Sequence, residues 1–371
     1  MAQNGLPLNV RCILQADIER DLAAGGDCWE AERNVLNSWG LPRGAYKVPL
    51  LGEVVDAGSA QNVRHAMGST HVPDLLRVEA ENLAADYGLT LPLHVEAPCS
   101  EARRTNGVVT SFVHSRKAPS DAFVKVGEGF YVATPEYTLL QRASELARGS
   151  ASRNFGSEAL AKMAVICSEF CGVYVVDESV PFGLLRRQAL TSASECVEFL
   201  SECGHSRSAA ADLFKRAIGL TCGPCASPME IAGGVLACSP RSTGGYGLGK
   251  AEFNRALGKA KADSDRAAAK RMDIYFPAQR TALEYKGVAA HAGSLDQDAI
   301  REAQLLAENI TVVTISRAQL ATSEAADALM IDTLARRFRC RDMRAFEKFK
   351  PQRRRFHAVV MRELNKARHL S

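Results

Sequence analysis

At 371 residues, with 46% apolar and 24% charged side chains, the chain has the composition of a globular protein of two or three domains. No apolar run approaches the ~18 residues of a membrane-spanning helix. The start, Met-Ala-Gln-Asn-Gly, has no signal-peptide pattern, and eleven scattered cysteines suit a reducing cytoplasm better than a disulfide framework. Charge is unevenly spread. Residues 335–371 carry 13 Lys and Arg against 3 Asp and Glu, which is +10 of a net +4 and leaves −6 for residues 1–334. A basic end on a mildly acidic body fits an anionic partner such as a phosphate backbone, or a solvated surface helix.

In chain order, residues 12–38 predict two short helices broken at Gly25-Gly26, and both tryptophans, Trp29 and Trp39, lie here as core candidates. Residues 59–67 and 73–87 predict further helices. Strands are predicted over 91–97, 107–114 and 122–126, the last turning at Gly127-Glu-Gly129 into Phe130–Ala133. Arg103 and Arg104 precede them, as phosphate contacts or as a solvated loop. Thr134-Pro135-Glu136 then opens a helix with Leu139, Leu140, Ala143 and Leu146 on one face. From Gly156 the pattern is helical: 157–171, then 192–203 with a capping box of Ser192 and Glu195, then 206–218.

Cys222-Gly-Pro-Cys225 has the wording of a thiol redox motif but follows a helix where such a motif needs a strand. A tight turn with buried thiols is expected, and zinc held with Cys203 and His205 is the other option. Ser227-Pro228 starts a helix that carries Glu230 in its first turn. Gly244-Gly-Tyr-Gly-Leu-Gly249-Lys250 comes close to a phosphate-binding loop, but Ala251 supplies no hydroxyl for a metal, so a glycine turn is expected.

The stretch 271–287 carries the most chemistry. It predicts two strands around a turn at Pro277–Arg280, with Glu284 and Lys286 on one face of the second strand, Leu283 and Tyr285 on the other. In a hairpin Asp273 falls beside the end of the second strand. Two neighbouring carboxylates are stable together when a cation lies between them, and hard oxygen ligands suit Mg²⁺, with Mn²⁺ as a substitute. A helix over 296–308 and a buried strand over 310–315 follow.

Asp273, ten intervening residues, then Glu284-Tyr285-Lys286 resembles the PD-(D/E)xK nuclease signature. Ser227-Pro-Met-Glu230, Asp273-Ile-Tyr-Phe, Leu283-Glu-Tyr-Lys-Gly, His291 and Asp298-Ala-Ile-Arg301 with Leu305 are together similar to endonuclease-like domains related to very-short-patch-repair nucleases. Many relatives carry an acid where Lys286 stands, and a second His beside the one matching His291. Residues 128–147 resemble a segment of AbiEi-type antitoxins, a packing motif without catalytic residues.

The resemblance implies an α+β chain with a restriction-endonuclease-like mixed sheet flanked by helices on its C-terminal side. Four segments are expected: an α+β domain over 1–150, a helical connector over 151–220, the nuclease-like domain over 221–334, and a basic tail over 335–371. It further implies Mg²⁺ held by Asp273, Glu284 and the carbonyl of Tyr285, with Lys286 orienting the attacking water and Glu230 holding a metal-bound water. Arg301, Arg353, Arg354 and Arg355 would meet DNA phosphates. No membrane partner is expected, and the sequence leaves the oligomeric state open, with a homodimer as one option. The alternative is a DNA-binding, antitoxin-like protein that uses an inactive core as scaffold.

Overall fold

The computed structural model describes residues 54–55, 81–82, 93–97, 107–113, 122–127, 130–148, 156–176, 184–186, 188–203, 208–256, 271–285, 305 and 307–366. The chain divides into two compact units, one formed by residues 1–153 and 186–215, the other by 154–185 and 216–371. The expected connector over 151–220 is thus shared between the two, and residues 335–371 belong to the second.

In the first unit, β1 (Val54–Val55), β4 (Phe123–Gly127) and β5 (Phe130–Ala133) form an antiparallel sheet in the order β1-β4-β5. β2 (Leu93–Ala97) and β3 (Val109–Val113) pair in parallel. Helix α1 (Pro135–Leu146) begins where the sequence predicts, with Thr134 accepting from the Tyr137 amide and Pro135 in the first turn. Its Leu139, Leu140 and Ala143 are buried. Glu136 is buried as well, and Thr191 donates to it at 2.6 Å. Thr191 immediately precedes Ser192, which forms the expected capping box with Glu195 at the head of helix α3 (Ala193–Glu202).

The second unit opens with helix α2 (Ser157–Phe170) and β6 (Tyr174–Val176), which pairs with β7 (Leu184–Arg186). Helix α4 (Ala209–Ile218) spans the boundary between the units in sequence. Then follow α5 (Pro228–Cys238), β8 (Glu252–Ala256), β9 (Arg271–Phe276), β10 (Thr281–Tyr285) and β11 (Thr311–Ile315). The four strands make one mixed sheet in the order β11-β10-β9-β8, with β8, β9 and β10 antiparallel and β11 parallel to β10. Helices flank it, so the α+β expectation holds at that level.

The path from α5 to β8 runs through the glycine-rich stretch. Gly244 and Gly249 take φ of +109° and +125°, values that favour glycine. A Cβ on Gly245 would lie 2.1 Å from the Ser239 carbonyl oxygen. The stretch is a turn, as its missing hydroxyl implies. β8 itself carries no alternation that would have revealed it. β11 is half-buried rather than buried, because it forms the edge of the sheet: Ile315 is fully buried, while Val312 and Val313 are partly covered against the two cores.

After β11 the chain is helical: α6 (Arg317–Ala321), α7 (Ser323–Asp327), a π-helical segment over Ala328–Ala335, α8 (Arg344–Lys348) and α9 (Lys350–Lys366). α9 packs on α2 and α5, and its Phe356, Val359, Val360 and Leu364 join the core that also holds Ile274, Phe276, Leu283 and Ile315. The basic segment is therefore structural on one face. On the other sheet face Met272, Tyr275, Ala282, Leu305 and Ile310 form a second cluster. Leu305 and Ala307 are helical, and the rest of the helix expected over 296–308 lies outside the described residues. No helix among the described residues is long and apolar enough to cross a membrane.

Candidate functional site

The hairpin forms as its sequence predicts. Thr281 faces Phe276, Ala282 faces Tyr275 and Leu283 faces Ile274. Continued by one step, this register sets Glu284 beside Asp273. The regular ladder stops there, because the Asp273 carboxylate accepts the Tyr285 amide hydrogen at 2.7 Å. A side chain has taken the place of a backbone acceptor, so Asp273 lies between the strands.

The other side of Asp273 is irregular too. Phe253 pairs with Ile274 and Arg255 with Met272, so Asn254 stands opposite Asp273. Asn254 takes φ of +48°, and its carbonyl accepts from Arg271 at 2.9 Å. Asn visits this left-handed region more readily than most residues. The alternation of faces slips at the same point. Ile274 and Phe276 face one core, yet Met272 packs with Tyr275 in the other, and Arg255 stacks on the Tyr275 ring at 4.7 Å. Asp273 thus occupies a break in the sheet on both sides, a placement that the hairpin pattern shows only in part.

Glu230 sits at the head of α5. Its carboxylate accepts from the Ala226 amide and the Ser227 hydroxyl, both at 2.8 Å, while Ser227 accepts from the Glu230 amide at 3.3 Å. Both oxygens accept a hydrogen bond at the head of α5, alongside the role toward a metal-bound water that the sequence suggests. The buried Cys225 thiol is pushed up first by burial, then by the charges of Cys222, Glu230 and Asp273. Cys225 is a residue that sequence reading placed only in a turn.

Glu284 is 7% exposed, on the face of Ala282, and Tyr285 pairs in register with Ile315. Carboxylate oxygens are the donor type a hard divalent cation takes, so Asp273 and Glu284 fit Mg²⁺ in chemistry. Among the described residues no group of three or more His, Cys, Asp or Glu is placed to hold a metal ion. Lys286, His291 and Arg301 lie outside the described residues, as do Arg103, Arg104, Trp29, Trp39 and His205.

Cys222 and Cys225 are buried reduced thiols in a turn, and burial pushes Cys222 up as well. The turn is tight. A Cβ on Gly223 would lie 2.7 Å from the Cys171 Cβ, and the Ser168 hydroxyl accepts from the Cys222 amide at 2.9 Å. These are packing thiols.

Arg353 is corrected. It is 1% exposed, donates to Asp327 through Nε at 2.6 Å and Nη2 at 3.1 Å, and donates through Nη1 to the Phe346 carbonyl at 2.7 Å. Tyr246 donates to the same Asp327 carboxylate at 2.8 Å. The guanidinium holds the core together and is turned away from any phosphate. Arg354 and Arg355 are exposed, and Arg354 pairs with Glu324 at 2.9 Å.

Comparison with protein-family models, with curated proteins and with solved structures gave no match for this chain.

Proposed function

We propose that the second unit is a metal-dependent DNA endonuclease of the PD-(D/E)xK type. One observation carries the reading: the Asp273 carboxylate reaches across from β9 to accept the Tyr285 amide hydrogen of β10 at 2.7 Å, one residue from Glu284. The order of elements supports it, since a helix with an acid in its first turn precedes three antiparallel strands and a fourth strand lies parallel to the third.

Asp273 and Glu284 would hold Mg²⁺ or Mn²⁺, with the Tyr285 carbonyl as a further ligand. Such a cation, when bound, supplies Lewis-acid polarisation of the phosphate and a more acidic water. Lys286 follows Tyr285 directly in sequence and would orient the attacking water by donating to its oxygen. The water gives a proton to solvent as its oxygen forms the new bond to phosphorus, the bond to the leaving sugar oxygen breaks, and the leaving oxygen takes a proton from solvent. Glu230 would hold a metal-bound water from the head of α5, and Arg301, Arg354 and Arg355 would neutralise phosphates.

A second reading has an observation of its own. The carboxylates of Glu230 and Asp273 both accept backbone amide hydrogens, work that a non-catalytic scaffold also needs. On that reading the protein binds DNA as a regulatory, antitoxin-like module. Nicking of supercoiled plasmid separates the two. The nuclease reading predicts Mg²⁺-dependent relaxation by wild type, abolished by EDTA and in Asp273→Ala and Lys286→Ala. Equal activity in all three preparations, or none in wild type with either metal, rejects it.

A further inference from the structure

The strongest feature that the candidate site does not use is the turn between the π-helical segment and α8. Residues 336–344 hold five arginines against one aspartate. The turn is not loose. The Cys340 amide donates to Ala335 O at 2.9 Å and the Arg339 amide to Arg336 O at 3.0 Å, the paired bonds of a Schellman helix end. Phe338 packs on Phe276 with ring centroids 5.2 Å apart, and Cys340 lies against the same core. The Arg337 guanidinium donates to the Thr311 hydroxyl at the start of β11. From outside, Arg241 stacks 4.0 Å over the Phe346 ring and donates to the carbonyls of Arg341 and Asp342 at 3.2 and 3.1 Å.

Two facts point beyond packing. Arg339 occupies the position of a Schellman motif that glycine usually fills, with φ of +51°. Strained placement of a non-glycine residue is commonest where a side chain has a task. Second, Arg339, Arg341 and Arg344 are exposed and enter no ion pair among the described residues, whereas Arg336 pairs with Asp332, Arg354 with Glu324 and Arg362 with Glu158. Three unpaired guanidiniums on a braced turn present planar forks suited to phosphate oxygens.

We infer that the arginine turn 336–344 is a phosphate-backbone anchor for duplex DNA, set apart from the carboxylates of β9 and β10. Its attachment point, Thr311, pairs with Thr281, three residues before Glu284 along β10. At ~3.3 Å per residue that is about 10 Å along β10 between the point that Arg337 fastens and Glu284. The inference rests on the nucleic-acid part of the function proposed above, not on its catalytic part.

The test is fluorescence anisotropy of a labelled duplex in EDTA across a salt series, with the full chain. Wild type binds with steep salt dependence. The triple variant Arg339→Gly, Arg341→Ala, Arg344→Ala loses about 2.7 from the slope of log K against log salt, ~0.9 for each phosphate contact removed. Arg339→Gly alone separates binding from folding: it raises the melting temperature by relieving the backbone while weakening DNA binding. Unchanged binding in the triple variant overturns the inference, as does wild type that ignores DNA and binds phosphatidylserine vesicles instead. A wild type that binds DNA, loses the predicted slope in the triple variant and never nicks plasmid keeps the anchor and removes the nuclease.

Discussion

A guanidinium inside a core is stable only when its charge and its donors are met, and Arg353 meets both through Asp327 and the Phe346 carbonyl. Removing Asp327 leaves that charge buried and uncompensated. Asp327→Ala is expected to cost about 3 kcal/mol or more in chemical denaturation, with no direct effect on DNA contacts. His357 is a second buried group on α9, its Nε2 2.9 Å from the Leu320 carbonyl oxygen. Burial holds its pKa below the usual histidine value, against the opposing pull of the Leu320 carbonyl, Asp327 and Glu324. The unfolded chain therefore binds a proton there before the folded chain does. Stability from this group is complete above the unfolded value near ~6.5 and declines as pH falls below it. His357→Gln should flatten the fall in melting temperature between neutral and mildly acidic pH. An unchanged slope would contradict the assignment.

For the elements, the carboxylate of Asp273 is also a strut, since it receives the Tyr285 amide where the ladder of β9 and β10 ends. Asp273→Asn keeps an acceptor and is expected to fold nearly as well as wild type, while Asp273→Ala loses about 1–2 kcal/mol by leaving that amide unmet. Ser227→Ala should cost about 1 kcal/mol through the head of α5. Most of these elements were legible in the sequence because their signals are local. Ser192 with Glu195, Ser227-Pro228 and the Pro277–Arg280 turn each mark a boundary with their own side chains. β8 was not legible, because Glu252–Ala256 has no alternation and its partner lies some twenty residues on. The burial of Arg353 was not legible. A run of like charges reads as a solvated face or a phosphate contact, and only helix phase and tertiary packing decide that Arg353 turns inward while Arg354 and Arg355 turn out.

On the scale of the molecule, the excess of positive charge over residues 335–371 lies on the same unit as Asp273 and Glu284. A cation bound by Asp273 and Glu284 in the folded state alone would raise the stability of that unit by mass action, about 2.7 kcal/mol at a hundredfold excess over its Kd. Wild type should therefore melt at a higher temperature in Mg²⁺ or Mn²⁺ than in EDTA, and the double variant Asp273→Ala, Glu284→Ala should not. Most direct is the anomalous scattering of crystals soaked in Mn²⁺. The account predicts one peak within about 2.1–2.3 Å of both the Asp273 and Glu284 carboxylates. Crystals that take up Mn²⁺ elsewhere and show no density between those two side chains would contradict it.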